Sequence, residues 1–375
     1  MKIGILTLPL LTNYGGILQA YALQKVLKSM GHDAWLINKR SEPIPSWRYL
    51  IRKSKHGVKN ILFGQDISIL NEKQKKENEA VISQNTQLFI DKYIQPQTDK
   101  YFFSKDLSQV EAYNFDACIV GSDQVWRPEY VSNIYDYFFN FIKGKTKKIS
   151  YAASFGVDYW SFTLKQTSRC KYLAQSFDHI SVRENSGVKM CKDYLNVDAM
   201  HVLDPTMLLK QSDYLSLIGG SIADKPNQGI LVYILDRNKD KETVIHTIEQ
   251  ELCSGIFHVN SETENHSASL KERIAPPVEE WLRGFQKAEF VITDSFHACV
   301  FAIIFNIPFI VYGNKDRGLG RFTSLLSKFN LEDRLILSSN DLGKILSNNI
   351  DWDHINSILE KERKISFQFL SEALI

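Results

Sequence analysis

Apolar positions along the chain fall into short continuous runs, separated by helical repeats and by polar or glycine-bearing turns. Residues 2–8 form the first run and read as a buried strand. The segment after it repeats apolar side chains at Leu23, Val26, Leu27 and Met30, the spacing of one helix face, before Gly31 ends it. Strand, glycine turn and helix is the opening unit of a parallel α/β sheet. The same theme predicts strands at 34–37, 115–120, 148–152, 179–182 and 200–203. From 209 to 228 the pattern lapses into Ser, Gly, Asp and Pro, which marks a domain boundary. It then restarts: strands at 230–235, 256–259, 290–293 and 308–312 alternate with helices at 241–252, 278–288 and 296–305, closed by helices at 322–329, 341–346 and 353–370. The expected fold class is α/β, with two Rossmann-like, doubly wound parallel-sheet domains facing across a cleft. They comprise residues 1–208 and 229–350, and 351–375 forms a C-terminal helix. Ligands of such sheets bind outside the carboxyl ends of the strands.

Residues 41–113 interrupt the first domain and read as a helical insertion. Between Glu42 and Asp66 they contain no acid, while Arg48, Arg52, Lys53, Lys55 and Lys59 lie among Trp47, Tyr49, Ile51, Leu62 and Phe63. That pattern fits two elements: a peripheral contact over 44–63 with the inner face of a membrane or a membrane-borne acceptor, or an ordinary helix with a solvated basic face. Overall charge adds little, since 45 basic and 43 acidic side chains leave +2 and no field that argues for a nucleic-acid partner. The composition, 44% apolar and 23% charged, is that of a globular chain and excludes disorder. Five scattered cysteines with no C-x-x-C pair point to a reduced, cytoplasmic protein. The longest apolar stretch, 298–312, is interrupted by Asn306 and Pro308 and falls short of the roughly 20 residues of a membrane span.

Candidate chemistry gathers at strand ends. In V-I-T-D-S-F-H-A-C, a strand runs out at Asp294, Ser295 is a good N-cap, and Phe296 and His297 open the helix beside free backbone amides. This is an anion site with a titratable side chain at its rim, set against the plainer reading of a capped helix with a packed histidine. In V-G-S-D-Q-V-W, Asp123 is placed to orient a hydroxyl or accept its proton, and Trp126 either stacks on a sugar face or fills the core. The turn carrying Asn13, Gly15 and Gly16 either lets backbone amides approach a ligand or is a plain tight turn. In S-V-R-E, Arg183 either grips a phosphate or carboxylate through two N–H groups or pairs with an acid such as Glu184. Lys315, Arg317 and Arg321 add cations near another strand end, or form a solvated loop. Walker A, H-E-x-x-H and G-x-S-x-G motifs are absent, and no required metal is expected.

With these pieces in view the chain resembles the polysaccharide pyruvyl transferase family. The matching segments are K-I-G-I-L-T, N-Y-G-G-I-L-Q-A-Y-A-L, V-G-S-D-Q-V-W, S-Y-A-A-S-F-G, S-V-R-E, V-L-D-P-T and V-I-T-D-S-F-H followed by I-P-F-I. The resemblance implies a GT-B-like arrangement and transfer of pyruvate from phosphoenolpyruvate to sugar hydroxyls of a cell-surface polysaccharide precursor as a ketal, with no cofactor besides that donor. Under it, His297 is the acid/base with Asp294 orienting it. Because a helix N-terminus disfavours imidazolium, Glu184 or Asp123 is the alternative acid. Arg183, Lys315, Arg317, Arg321 and the helix after Ser295 are candidates for the donor's anionic groups. A nucleotide-sugar glycosyltransferase of the same architecture and a non-catalytic component of glycan assembly are the competing readings. The acceptor sugar, its carrier and the oligomeric state stay open at this level.

Overall fold

The computed structural model describes residues 1–42, 72–220, 229–263, 265, 267–313, 318–343 and 348–375. Six parallel strands form the first sheet: β1 (Lys2–Leu6), β2 (Asp33–Leu36), β3 (Ala117–Val120), β4 (Lys147–Ala153), β5 (His179–Val182) and β6 (Met200–His201), in the order β2-β1-β3-β4-β5-β6. Five more form the second: β7 (Gly229–Tyr233), β8 (Ile256–Phe257), β9 (Ala288–Thr293), β10 (Phe309–Tyr312) and β11 (Leu335–Ile336), ordered β11-β10-β9-β7-β8 and again parallel. Helices cover parallel sheets on both faces, and β3 and β7 are accordingly buried at every position. β11, two residues long, is too short to leave a run in the sequence.

The helices are α1 (Tyr14–Ser29), α2 (Glu72–Ile82), α3 (Gln84–Tyr93), α4 (Leu164–Ala174), α5 (Asn185–Met190), α6 (Gln211–Leu217), α7 (Lys239–Leu252), α8 (Val278–Lys287), α9 (Phe296–Ile304), α10 (Gly320–Lys328) and α11 (Trp352–Ala373). Several begin on a side-chain cap that satisfies an otherwise free amide: Asn13 for α1, Thr163 for α4, Asn238 for α7 and Ser295 for α9. Gly31, at φ 88, ends α1 in the left-handed conformation glycine tolerates. Of the helix expected at 341–346, Ser339–Asp341 forms a single 3₁₀ turn, and 344–347 lie outside the described residues. Of the insertion, α2 and α3 are helical, while the basic aromatic stretch 44–63 lies outside the described residues. Among the described residues no helix is long and apolar enough to cross a membrane.

Both sheets reverse strand order once. In the first, the chain leaves β1 for β2 on one side and returns to β3 on the other; in the second, it does the same at β7 between β8 and β9. Loops on either side of such a switch point diverge and leave a crevice. The two switch points meet. Tyr14, at the start of α1, stacks on Trp281 of α8 (centroids 5.6 Å apart, planes at 18°) and donates to the Pro276 carbonyl at 2.9 Å. One apolar cluster runs from Ile3 and Leu27 through Tyr214 to Phe301 and Phe309, so the domains share a core. α11 then returns to the first sheet, packing Phe369 against Tyr151.

Candidate active site

Four strand ends of the first domain and one of the second converge on a single buried group of charges. β5 delivers Arg183, whose Nη1 donates to Asp204 Oδ2 at 2.9 Å and whose Nη2 donates to Asp123 Oδ1 at 3.0 Å. Asp204 follows β6 and opens a 3₁₀ turn, its Oδ1 accepting from the Thr206 amide and hydroxyl. Asp123 follows β3. Gly121, at φ 126, makes the turn there, and a Cβ on it would overlap the Tyr151 carbonyl oxygen. The Ser122 hydroxyl lies 2.9 Å from the Ala152 carbonyl and 3.0 Å from Asp204 Oδ2, and Gln19 ties the Ser122 amide to the α1 turn.

The second domain supplies His297. Its Nε2 stands 3.6 Å from Asp204 Oδ2, just beyond hydrogen-bond length, and has no other partner among the described residues. The ring lies on Gly15, where a Cβ would overlap Nδ1; this is why a glycine occupies that turn. Phe296 covers the Arg183 guanidinium at 4.4 Å and meets the His297 ring edge to face. Arg321, in the first turn of α10, stands 5.8 Å from the centre of the Phe296 ring.

Electrostatics separates the three carboxyls. Burial alone would raise Asp204, but His297, Arg183 and Thr206 more than offset it and hold the carboxyl well below the usual range. Burial also opposes ionisation of Asp123, and Arg183, His297 and Arg321 overcome it. Glu184 goes the other way: burial outweighs Arg183 and the Phe155 amide, which donates to Oε1 at 2.8 Å, and the pKa is raised. Its Oε2 is buried without a hydrogen-bond partner among the described residues. The environment thus pushes the carboxyls apart, Asp123 and Asp204 towards the ionised form and Glu184 towards the protonated one, the direction that separate acid and base roles require.

The geometry corrects three expectations. Asp294 does not orient His297. Its carboxylate accepts from the Leu235 and Asp236 amides and pairs with buried Lys241 at 2.7 Å, because a strand-end residue faces the neighbouring β7 loop while His297, a helical turn later, faces the other domain. Trp126 is fully buried, stacked on Phe138 at 4.9 Å with its indole N–H on the Tyr137 carbonyl, and so is a core residue closed to any sugar. Arg183 has both ends of its fork on aspartates and is no free anion ligand. Asn13 caps α1 by accepting from the Gly16 amide, and Ser295 caps α9. Lys315 and Arg317 lie outside the described residues. Asp204, the carboxylate beside His297, was not singled out from the sequence; its signal was D-P-T directly after a strand. Among the described residues no three His, Cys, Asp or Glu side chains are grouped to hold a metal ion.

The model of one family, polysaccharide pyruvyl transferase, matches residues 13–316, a span that runs from the α1 cap through Asp123, Arg183, Asp204 and His297. The chain belongs to the polysaccharide pyruvyl transferase family. No curated protein matches it in sequence. In structure, this pyruvyl transferase family member is similar to UDP-GlcNAc 2-epimerase from Neisseria meningitidis, with a TM-score of 0.51 and 9% identity over 99% of this chain and 100% of that one. It is also similar to a Listeria monocytogenes protein described as a UDP-N-acetylglucosamine 2-epimerase, with a TM-score of 0.53 and 9% identity over 96% and 91%. At that identity the likeness shows the fold alone, two parallel-sheet α/β domains in the GT-B-like arrangement that the sequence predicted.

Proposed function

We propose that the protein transfers the pyruvyl group of phosphoenolpyruvate to two hydroxyls of one sugar in a cell-surface polysaccharide precursor, forming a cyclic ketal and releasing phosphate. The observation that supports this reading is the approach of His297, from the second domain, to within 3.6 Å of Asp204 in the first, inside the span of the family match. The balance is simple. One hydroxyl proton replaces the proton delivered to the donor's methylene carbon, the other leaves with phosphate, and two C–O bonds to the sugar replace the enol double bond and the bond to phosphate.

Glu184, whose pKa burial raises, is the donor of the methylene proton, which makes the adjacent carbon electrophilic. His297 Nε2 is the base that takes the hydroxyl proton. Asp204 beneath it stabilises the resulting imidazolium, which the start of α9 by itself disfavours. Arg183 holds Asp123 and Asp204 in register. We propose no cofactor beyond the donor, since proton transfers and stabilisation of leaving phosphate are within reach of side chains. The reading carries with it a cytoplasmic site of action and a lipid-linked or nucleotide-linked acceptor.

The test is phosphate release from phosphoenolpyruvate by purified protein, with and without a mixture of lipid-linked and nucleotide-linked sugars, beside a thermal-shift panel of donors. Sugar-dependent release supports pyruvyl transfer. No release, with stabilisation by a nucleotide sugar instead, transfers the case to a glycosyltransferase of the same architecture.

A further inference from the structure

The segment N-Y-G-G-I-L-Q ends on Gln19, a buried polar residue in the second turn of α1 that touches neither Asp204 nor His297. A buried side-chain amide needs partners at both ends, and Gln19 has them. Its Oε1 accepts from the Ser122 amide at 2.9 Å, and because a backbone N–H only donates, this contact fixes which end of the side chain is which. Nε2 therefore faces the other way and donates to the Thr7 hydroxyl and to the Gly16 carbonyl, both at 2.8 Å. Thr7 follows β1. Its oxygen accepts from Gln19, and its own proton is directed at the Ser122 carbonyl at 3.2 Å.

Ser122 is thus gripped at its N–H by Gln19 and at its C=O by Thr7. What it presents in turn is its hydroxyl, 3.0 Å from Asp204 Oδ2, the same oxygen that stands 3.6 Å from His297 Nε2. The other arm of Gln19 holds the Gly16 carbonyl, next to Gly15, on which the His297 ring rests. One side chain therefore reaches the supports of both partners, the carboxylate through Ser122 and the imidazole through the first turn of α1. Thr7, Gln19, Ser122 and Asp204 are all buried, and in such surroundings a fully satisfied chain of hydrogen bonds is stiff. Stiffness matters at this distance: 3.6 Å is just beyond hydrogen-bond length, so a small inward shift makes the bond and a small outward one forfeits it.

We propose that Gln19 is a positioning residue: by locking Ser122 and the first turn of α1 into one frame, it sets the separation between Asp204 and His297. The inference rests on the reading above, in which His297 is the base and Asp204 stabilises its charged form. Gln19 makes no contact with either group and acts through Ser122 and Gly16. Its effect is on the rate of the proton transfer and not on the affinity for donor or sugar, since misplacing a base by a fraction of an ångström changes the transition state more than the bound ground state.

The experiment compares sugar-dependent phosphate release by the full chain in wild type, Gln19→Met, Asp204→Asn and the double variant, with phosphoenolpyruvate as donor and the same sugar mixture as acceptor. Methionine matches glutamine in length and makes none of its three hydrogen bonds. Q19M is expected to lower kcat by about ten- to a hundredfold, the scale of a displacement of up to about 1 Å, while KM for the donor stays within about twofold of wild type. With Asp204 already replaced, Gln19 has no carboxylate left to place, so the double variant is expected to match D204N within about twofold. A loss that came only from less folded protein would multiply with that of D204N; that result overturns the proposal, as does wild-type kcat in Q19M. Should Q19M fail to fold, Thr7→Val removes one link of the frame instead. Its expected loss is several-fold and vanishes beside D204N, and wild-type kcat or a loss that multiplies overturns the proposal. Wild-type protein that releases no phosphate with any sugar removes the donor reading and this inference together, whereas an unimpaired Q19M removes this inference alone.

Discussion

The imidazole of His297, carried by the second domain, rests directly on the Cα of Gly15 in the first, with no room between them for a methyl group. Gly15 is the second residue of α1 and does not have a positive φ, so its helix would accept alanine and gain up to about 1 kcal/mol from it. At this contact the added methyl overpacks a buried seam between the domains, so Gly15→Ala is expected to lower the melting temperature while displacing the histidine. A displacement of about 1 Å costs on the order of a hundredfold in turnover. Paired measurements of kcat and thermal unfolding check this, and a variant that is active as wild type removes His297 from the chemistry.

Asp204 and His297 act as one unit. His297→Ala and Asp204→Asn are each expected to lower kcat by about a hundred- to ten-thousand-fold with little change in KM for the donor, and the double variant to be no slower than the worse single one. Full additivity of the two losses in a double-mutant cycle contradicts the pairing.

Glu184 makes a prediction with a pH sign. Its pKa is raised above the ordinary 4.5. A carboxyl raised on folding binds its proton more tightly in the native state, so its stabilising contribution is complete below 4.5 and is lost as pH climbs through the folded value. Glu184→Gln removes that decline, so its unfolding free energy above pH 4.5 is flatter than that of wild type, while kcat falls by about a hundredfold or more. Urea unfolding across pH 4 to 8 and single-turnover rates provide the two readouts. A decline that persists in E184Q belongs to another group.

Asp294 behaves as a structural residue. Asp294→Asn leaves the Lys241 ammonium buried opposite a neutral amide and a single oxygen to accept from the Leu235 and Asp236 amides, so a loss of about 3–5 kcal/mol is expected. Turnover by the folded variant is expected to stay within a few-fold of wild type. A loss in kcat as large as that of Asp204→Asn restores Asp294 to the site.

The sequence made the architecture legible because the central parallel strands are buried on both faces and leave unbroken apolar runs, as Ala117–Val120 and Phe309–Tyr312 do. It also made the strand ends legible, and with them Asp123, Arg183, Glu184 and His297. What it did not carry was direction. Asp294 and His297 are three residues apart and face different partners, whereas Asp204 and His297, far apart in the chain, face each other. Trp126 sits in a polar motif, and only the aromatic stack around Phe138 reveals that it points inward. Asp204 before Pro205 has the look of a helix cap. It is one through Oδ1, which left no trace of the Oδ2 that faces the histidine.

The return of α11 to the first sheet has a consequence for synthesis. The Leu203 amide is satisfied by the Ser366 hydroxyl, 163 residues later, and the Met207 and Leu209 carbonyls accept from Arg363. As the chain leaves the ribosome, the second sheet is translated in full while these groups, just beyond the last strand of the first, still lack their final partners. The domain begun first is finished last, because the flank that carries Asp204 gains its final hydrogen-bond partners only from Arg363 and Ser366.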